Sequence, residues 1–268
     1  MANVKSHSID TLLTIMARLR DQDGGCPWDL QQTFKSIAPY TIEEAYEVAD
    51  AIEREAYGDL KDELGDLIFQ VVFHAQIASE ARLFEFADIV EAIIDKMTRR
   101  HPHVFGTSET RNADEQSNAW EAQKAIERKQ KGANGLLDDI PANIPGLTRA
   151  VKLQKRAARV GFDWTDWRDV FAKVNEELGE LDEAVNQNNT DNMEEEFGDL
   201  LFVVANLARH LKIDPETAMR RANQKFIRRF HYIEKGADSQ SRPLDDLSID
   251  EMEALWREAK KMEKTSNN

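Results

Sequence analysis

The acidic stretch that decides the fold reads EELGE at residues 176–180 and resumes as EFGD at residues 196–199. The same pattern occurs 133 positions earlier, as EEAYE at residues 43–47 and ELGD at residues 63–66. Side chains three and four positions apart share one face of a helix. The spacing therefore predicts that each half of the chain carries two helices whose carboxylates face one another.

An apolar stripe begins within each ELGD or EFGD stretch, directly beside the acids, and continues at helical spacing. Its members are Leu64, Leu67, Ile68, Val71, Val72 and Ala75 in the first copy, and Phe197, Leu200, Leu201, Val204, Leu207, Ala208 and Leu211 in the second. No alternation of apolar and polar residues persists long enough to indicate a strand. We expect the breaks between the paired helices at residues 57–59 (YGD) and 186–190 (NQNNT). The chain is thus predicted to be all-α.

The duplication extends beyond the acids. KMTRR at residues 96–100 aligns with KFIRR at residues 225–229, and WEAQK at residues 120–124 aligns with WREAK at residues 256–260. With the acidic pattern, these segments make three matches in the same order, which predicts an internal duplication of a helical module.

Glycine and proline concentrate between the two copies, in the stretch KGANGLLDDIPANIPG. Such residues mark a connection rather than a helix. We therefore predict tandem modules of the four-helix-bundle type, at residues 1–130 and 148–268, joined by residues 131–147.

Composition and charge exclude several classes of protein. With 268 residues, 41% hydrophobic and 32% charged, the chain can form one large or two ordinary folded domains. A formal charge of −15 argues against stable nucleic-acid binding, which requires a basic surface. No apolar run approaches the length of a membrane span, and the N-terminus lacks a hydrophobic signal region. Together with the single cysteine, Cys26, these features predict a cytoplasmic protein that does not associate with a membrane.

Clustered carboxylates repel one another unless a cation lies among them. Mg²⁺, with Mn²⁺ as a substitute, is the natural candidate because hard cations prefer oxygen ligands. A solvated helix face would be the alternative interpretation. The glycines Gly65 and Gly198 argue against it, because both copies keep a residue that costs a helix about 1 kcal/mol at that position. A di-iron carboxylate site would require Glu-x-x-His, which none of the six histidines completes.

The chain resembles the MazG family, in its full-length, two-repeat form. Besides the paired acidic boxes, the stretches GGCPWD at residues 24–29, RRHPHVF at residues 99–105 and RVGFDW at residues 159–164 are similar to family sequence. The resemblance covers nearly the whole chain. It implies an all-α nucleoside triphosphate pyrophosphohydrolase that requires Mg²⁺ and releases a nucleoside monophosphate and pyrophosphate.

The resemblance also implies roles for individual acids. Glu177, Glu180, Glu196 and Asp199 would be metal ligands, and Glu176 would orient or deprotonate the attacking water. Attack at the α-phosphorus needs neutralised charge and a positioned water, so the chemistry of these side chains agrees with those roles.

A triphosphate needs further cations. Lys225 and Arg229 lie one turn apart and would form a phosphate clamp, and Lys173 lies one turn before Glu177. Trp256 could stack on a base while Lys260, one turn later, contacts a phosphate. All of these are predicted substrate-binding residues.

The two halves differ at one informative position, because Tyr40 replaces Lys173 in the first repeat. The second repeat is therefore the predicted catalytic site. The acids of the first repeat are intact and form a possible second or degenerate site; they are Glu43, Glu44, Glu47, Glu63 and Asp66. We expect a homodimer, in which Arg100 and Lys124 could complete a neighbouring site across the interface.

Two alternatives share part of this pattern. A narrow dUTP, dCTP or phosphoribosyl-ATP pyrophosphohydrolase would have the same acids. A non-enzymatic helical interaction protein that binds cations would explain the charge, but not the placed Lys-x-x-x-Arg and Trp-x-x-x-Lys elements.

Overall fold

A computed structural model describes residues 8–106, 112–130 and 135–266 of the chain. All regular elements in these ranges are helical, which confirms the all-α prediction. The helices are α1 (Ile9–Leu19), α2 (Pro27–Gln31), α3 (Phe34–Glu53), α4 (Tyr57–Glu80), α5 (Phe86–Arg100), α6 (Pro102–Phe105), α7 (Ala113–Gln130), α8 (Gly146–Ala158), α9 (Trp167–Asn186), α10 (Thr190–His210), α11 (Pro215–Ser239) and α12 (Ile249–Ser266), with one 3₁₀ turn at Leu244–Asp246. No helix in the described ranges is both long enough and apolar enough to span a bilayer.

The chain divides into two compact units, Met1–Lys124 and Ala125–Asn268. The division falls inside α7, a few residues before the connection expected at residues 131–147. Residues 131–134 of that connection lie outside the described part of the chain, as do residues 1–7, on which the prediction about targeting partly rested. The domain boundaries therefore stay a prediction.

The paired acidic helices begin at equivalent positions in the two units because equivalent residues cap them. The hydroxyl of Thr33 accepts a hydrogen bond from the backbone N–H of Ser36 at the start of α3, at 3.3 Å. At the equivalent position before α9, the carboxylate of Asp166 accepts one from the N–H of Arg168, at 2.8 Å. Side-chain oxygens at the N-cap satisfy N–H groups that have no partner within the helix. Local sequence thus sets where both helices start.

Short turns join the members of each pair, and one of them differs from the prediction. Residues 187–189 separate α9 from α10, with Asn188 at a φ of 52°, as the NQNNT stretch indicated. The prediction for residues 57–59 was wrong, because these residues form the first turn of α4. The break lies instead at residues 54–56, where Glu55 adopts a φ of 55°. Glutamate rarely takes this left-handed conformation, so the sequence carries no signal for a turn there.

One helix is central in each unit. In the first unit α4 packs against α1, α3 and α5; in the second, α10 packs against α8, α9 and α11. The buried core residues of the first unit come mainly from α1, α3 and α4. They are Met16, Ile37, Val72, Phe73 and Ile77. The acidic ends of α4 and α10 are therefore fixed by helices that pack on several sides.

Candidate functional site

The second repeat brings three carboxylates together at the α9–α10 hairpin. One carboxylate oxygen from each of Glu177, Glu196 and Asp199 lies within 4.8 Å of the others. Glu177 comes from α9 and the other two from α10, which confirms that the paired helices face each other with their acids. Oxygen atoms this close can bind one hard divalent cation.

Lys173 neutralises part of this cluster. Its Nζ atom lies 2.7 Å from Oε1 of Glu177 and 2.8 Å from Oε1 of Glu176. The hydrogen bonds to Glu176 and then Glu177 raise the pKa of Lys173, so its ammonium stays charged. Glu177 itself is only 4% exposed, and a buried carboxylate needs a cationic partner of this kind.

Glu180 lies at the edge of the cluster. It is exposed and is not one of the three residues whose oxygens come within 4.8 Å of each other. Partial desolvation, followed by the charges of Glu180, Glu177 and Asp199, raises the pKa of Glu196. Glu180 is therefore near enough to act on the cluster, and its role as a ligand stays a prediction. A divalent cation bound among these carboxylates would relieve their mutual repulsion.

The first repeat reproduces the cluster with Glu44 from α3 and Glu63 and Asp66 from α4, again within 4.8 Å. Partial burial, followed by the charges of Asp66 and Glu47, raises the pKa of Glu44. In the described part of the chain, no lysine or arginine forms an ion pair with these three acids. Instead, Nε2 of Gln70 donates a hydrogen bond to Oε1 of Glu44, at 3.3 Å.

Tyr40 occupies the place of Lys173 and has a different partner. Its ring packs edge-on against Trp28, with 6.1 Å between the ring centroids. Both side chains are about half exposed, so neither serves as a core anchor. An aromatic pair thus stands beside the acids of the first repeat where the second repeat has a cation.

The face of α3 next to these acids also differs from that of α9. It borders a shallow cleft of about 480 Å³ lined by Pro39, Ile42, Glu43, Tyr46, Glu47 and Asp50. At the apolar positions of this face, α9 carries Ala172, Asn175 and Gly179. Charge and helical spacing gave no reason to select these residues, although a position-by-position comparison of the repeats reveals them. Bulky side chains thus lie on this face of α3 at positions where α9 carries small or polar ones.

The predicted basic and aromatic residues of α11 and α12 form a separate cluster. Nε of Arg229 donates to Oε2 of Glu263 at 2.9 Å, and its guanidinium lies 5.4 Å from the ring centroid of Trp256. The bond from Arg229 lowers the pKa of Glu263, a residue that the sequence analysis missed. Its signal was weak, because the pairing spans 34 positions and depends on how the helices pack. Lys225 and Lys260 are exposed.

Arg229 contacts Trp256, but neither residue contacts the carboxylate cluster of the second repeat through a described hydrogen bond or ion pair. Among the described residues, no hydrogen bond or ion pair links this cluster of α11 and α12 with Glu177, Glu196 or Asp199. The predicted phosphate clamp therefore stays a prediction.

Arg100 and Lys124, the predicted cross-interface residues, lie near the end of α5 and on α7. The backbone carbonyl of Arg100 accepts a hydrogen bond from the indole of Trp120, at 2.9 Å, and the ring of Trp120 contacts His101 edge-on. Trp120 thus fixes α7 to the end of α5, a structural role for the first-repeat counterpart of Trp256. The part that Arg100 and Lys124 would play at an interface is not tested by these contacts.

One known protein family matches the acidic helices of both repeats. The family model of the MazG nucleotide pyrophosphohydrolase domain matches residues 32–105 and residues 168–233. These ranges contain both carboxylate clusters, Lys173, Lys225 and Arg229. Trp256 and Lys260 lie outside them, so their assignment depends on the internal duplication.

Similar proteins occur in several bacteria. The nucleoside triphosphate pyrophosphohydrolase of Escherichia coli (strain K12) is 51% identical over 259 residues, which cover 96% of this chain and 98% of that protein. The nucleoside triphosphate pyrophosphohydrolase/pyrophosphatase MazG of Thermotoga maritima is 42% identical, over 94% of this chain and 95% of that protein. An uncharacterised Bacillus subtilis protein, YabN, is also 42% identical, but this similarity covers only 53% of its length.

Proposed function

The chain belongs to the MazG nucleotide pyrophosphohydrolase family, and from that premise we propose that its second repeat hydrolyses nucleoside triphosphates to monophosphates and pyrophosphate. The observation that carries the proposal is the cluster of Glu177, Glu196 and Asp199, held at 4.8 Å or less beside Lys173. This arrangement combines oxygen ligands for a cation with a charged lysine, as the hydrolysis of a polyanion requires.

Mg²⁺ is the proposed cofactor, with Mn²⁺ as a substitute. Glu177, Glu196 and Asp199 would hold it, with Glu180 completing the set from one turn farther along α9. A cation bound there would offset the charge of the triphosphate and make a bound water more acidic.

The residues of the chain supply the remaining chemistry. Glu176, held by Lys173 at 2.8 Å, would accept a proton from the attacking water. The water oxygen would form a bond to the α-phosphorus, and the bond from that phosphorus to the bridging oxygen of pyrophosphate would break. Lys173 offsets the negative charge of Glu176 and keeps its carboxylate in place.

Lys225, Arg229, Trp256 and Lys260 are proposed to bind the substrate. Because no hydrogen bond or ion pair joins them to the acids among the described residues, the substrate itself would link the two clusters. Arg229 already pairs with Glu263, so a phosphate would compete with that carboxylate for the guanidinium.

The direct test is product analysis with the full chain, mixed nucleoside triphosphates and Mg²⁺. We expect monophosphate and pyrophosphate, and in H₂¹⁸O we expect the label in the monophosphate, because attack at the α-phosphorus places the water oxygen there. Label in pyrophosphate would contradict the proposed site of attack. A panel of ribo- and deoxyribonucleotides would show whether the substrate range is broad or narrow.

Matched substitutions separate the two repeats. We expect Glu180→Gln to abolish pyrophosphate release and its first-repeat equivalent, Glu47→Gln, to leave most of it. EDTA should stop turnover and excess Mg²⁺ should restore it. Equal losses in the two variants would overturn the assignment to the second repeat, and full turnover in EDTA would exclude the metal mechanism.

A homodimer is also part of the proposal. Each repeat exposes part of its apolar stripe, at equivalent positions of α4 and α10, and each of these side chains is at least 36% exposed. The exposed members are Leu64, Ile68 and Val71, and Phe197, Leu201 and Val204. Apolar surface of this kind favours association with another protein surface. We further propose a cytoplasmic location, where the one cysteine, Cys26, would remain a free thiol.

A further inference from the structure

Arg149, on α8, carries a buried hydrogen-bond donor without a partner. Its Nε–H group is shielded from solvent and makes no hydrogen bond among the described residues. No described carboxylate forms an ion pair with its guanidinium, whereas Arg156, the other arginine of α8, pairs with Asp139. A cationic donor that is withdrawn from water is costly to leave unpaired, so its presence calls for a specific explanation.

Contacts at two points show that α8 and α10 run in the same direction. Nε2 of Gln154, on α8, donates to the backbone carbonyl of Phe202, on α10, at 2.7 Å. In the loop that follows α8, Asp163 accepts a hydrogen bond from Nη1 of Arg209, near the end of α10, at 2.9 Å. A step toward the start of α8 is therefore also a step toward the start of α10.

This direction places Arg149 at the level of the second acidic cluster. Arg149 precedes Gln154 by five residues, a distance of about 7.5 Å at the rise of an α-helix. The same step back from Phe202 along α10 ends inside the EFGD stretch at residues 196–199, which supplies two of the clustered acids. α8 also packs against α11, which carries the predicted phosphate clamp. Arg149 thus belongs to a helix that contacts both of the elements that the substrate would link.

The first repeat has no counterpart of this arginine. α1 packs against α4 as α8 packs against α10. Two buried positions, four residues apart, set the register between α1 and α8; they are Met16 and Arg20 in the first repeat, and Ala150 and Gln154 in the second. In this register Ile15 takes the place of Arg149. An apolar side chain, which needs no polar partner, thus stands where the second repeat has an unpaired cation.

We propose that Arg149 binds the pyrophosphate end of the nucleoside triphosphate, an inference that rests on the proposed function. The phosphorus under attack has to lie beside the acids, and no described ion pair joins Arg149 to them. Its guanidinium is then placed for the phosphates beyond the attacked one, which its planar fork can bind with two hydrogen bonds. When the bond from the α-phosphorus to the bridging oxygen breaks, the electron pair stays on that oxygen. Arg149 stabilises the negative charge that the leaving pyrophosphate gains.

The test measures the binding of an α,β-methylene nucleoside triphosphate, which cannot be cleaved between its α- and β-phosphorus, by calorimetric titration in Mg²⁺. We expect Arg149→Met to weaken this binding by about tenfold to a hundredfold, the effect of losing one hydrogen bond to a charged group. Binding of the nucleoside monophosphate should stay unchanged, because it lacks the phosphates that Arg149 contacts. Equal weakening of both ligands would overturn the assignment to the pyrophosphate end.

Lys155→Met is the matched control, because it removes the same charge from an exposed position of the same helix. We expect this variant to bind both ligands as the unmodified chain does. If Lys155→Met and Arg149→Met lost the same affinity, the net charge of α8 rather than a contact of Arg149 would be the cause, and the inference would fall.

Thermal unfolding without nucleotide separates a binding role from a structural one. Methionine keeps an unbranched apolar stem and removes the unpaired donor, so Arg149→Met should melt no lower than the unmodified chain. A lower melting temperature would assign Arg149 a structural role and contradict the inference.

The titrations also distinguish this inference from the proposed function, because they do not depend on turnover. Equal triphosphate binding by Arg149→Met and the unmodified chain would exclude Arg149 alone. A failure of the unmodified chain to bind the triphosphate would exclude the proposed function as well.

Discussion

Two residues give the first repeat a different electrostatic character from the second. Tyr40 replaces Lys173 one turn before the acids, and Gln70 replaces Val203 beside them. Three acids of each repeat face one another as predicted, because helical spacing places them on one side of their helices. The contact between Gln70 and Glu44 was not predictable, because it joins two helices whose packing the sequence does not specify.

We expect His74 to make the free energy of unfolding depend on pH. Its Nε2 atom lies 3.0 Å from the hydroxyl of Thr41, and its ring stacks on Phe34. Burial lowers the pKa of His74 below its usual value of 6.5. Below pH 6.5 the unfolded chain therefore binds a proton that the folded chain resists, and the free energy of unfolding falls as the pH falls.

Replacement of His74 by leucine, the residue at the equivalent position 207, should remove this contribution. Denaturant unfolding of both proteins at pH 7.5 and pH 5.5 measures it. The difference in stability between the two pH values should be smaller in His74→Leu. Equal differences would show that His74 takes no part in the pH dependence.

At the scale of the elements, the acidic hairpins follow the sequence closely, and the turn before α4 does not. The N-cap residues, the acids and the apolar stripes all fall where local patterns place them. The left-handed turn at Glu55 has no glycine or asparagine to announce it. Its equivalent, Asn188, was recognised because asparagine tolerates that conformation. Where tertiary packing selects a conformation against local preference, sequence patterns fail.

The glycines beside the acids, Gly65 on α4 and Gly198 on α10, lead to a prediction about the stability of these helices. Among the described residues, a Cβ atom added at Gly65 or Gly198 would meet no atom within 4 Å apart from the adjacent residues and backbone of its own helix. We expect Gly198→Ala to stabilise the protein by about 0.5–1 kcal/mol, because alanine loses less backbone entropy in a helix. Thermal or denaturant unfolding measures this change.

Gly236 on α11 provides the control. A Cβ atom there would lie 2.8 Å from Cδ1 of Leu255, so Gly236→Ala should not produce the same gain. A stabilised Gly198→Ala variant with reduced turnover would show that a group outside the chain, substrate or partner, occupies the open space. A destabilised Gly198→Ala variant would contradict the prediction.

At the scale of the whole molecule, the chain contains two units with the same arrangement of packed helices and the same exposed stripe. The duplication could be predicted from the sequence, because three matched segments occur in the same order in both halves. The all-α class could be predicted because the apolar residues recur at helical spacing. The exposed surface of α4 and α10 was harder to foresee, since an apolar stripe looks the same in sequence whether it faces a core or a partner.

The exposed stripe of α10 predicts how association can be disrupted. Leu201 is 41% exposed, and Leu201→Glu should place a charge in the proposed dimer interface and yield a monomer. Light scattering coupled to size-exclusion chromatography would show the molar mass fall by half. Ile249→Glu, at a residue that is 75% exposed but lies outside the stripe, should leave the mass unchanged. A dimer that persists in Leu201→Glu would exclude this surface as the interface.

The acids of the first repeat have a consequence for the thermodynamics of the first unit. Carboxylates held within 4.8 Å of one another repel, and in the described part of the chain no lysine or arginine forms an ion pair with Glu44, Glu63 or Asp66. This repulsion lowers the free energy of unfolding. Any cation that binds the folded hairpin but not the unfolded chain would therefore stabilise the first unit by mass action.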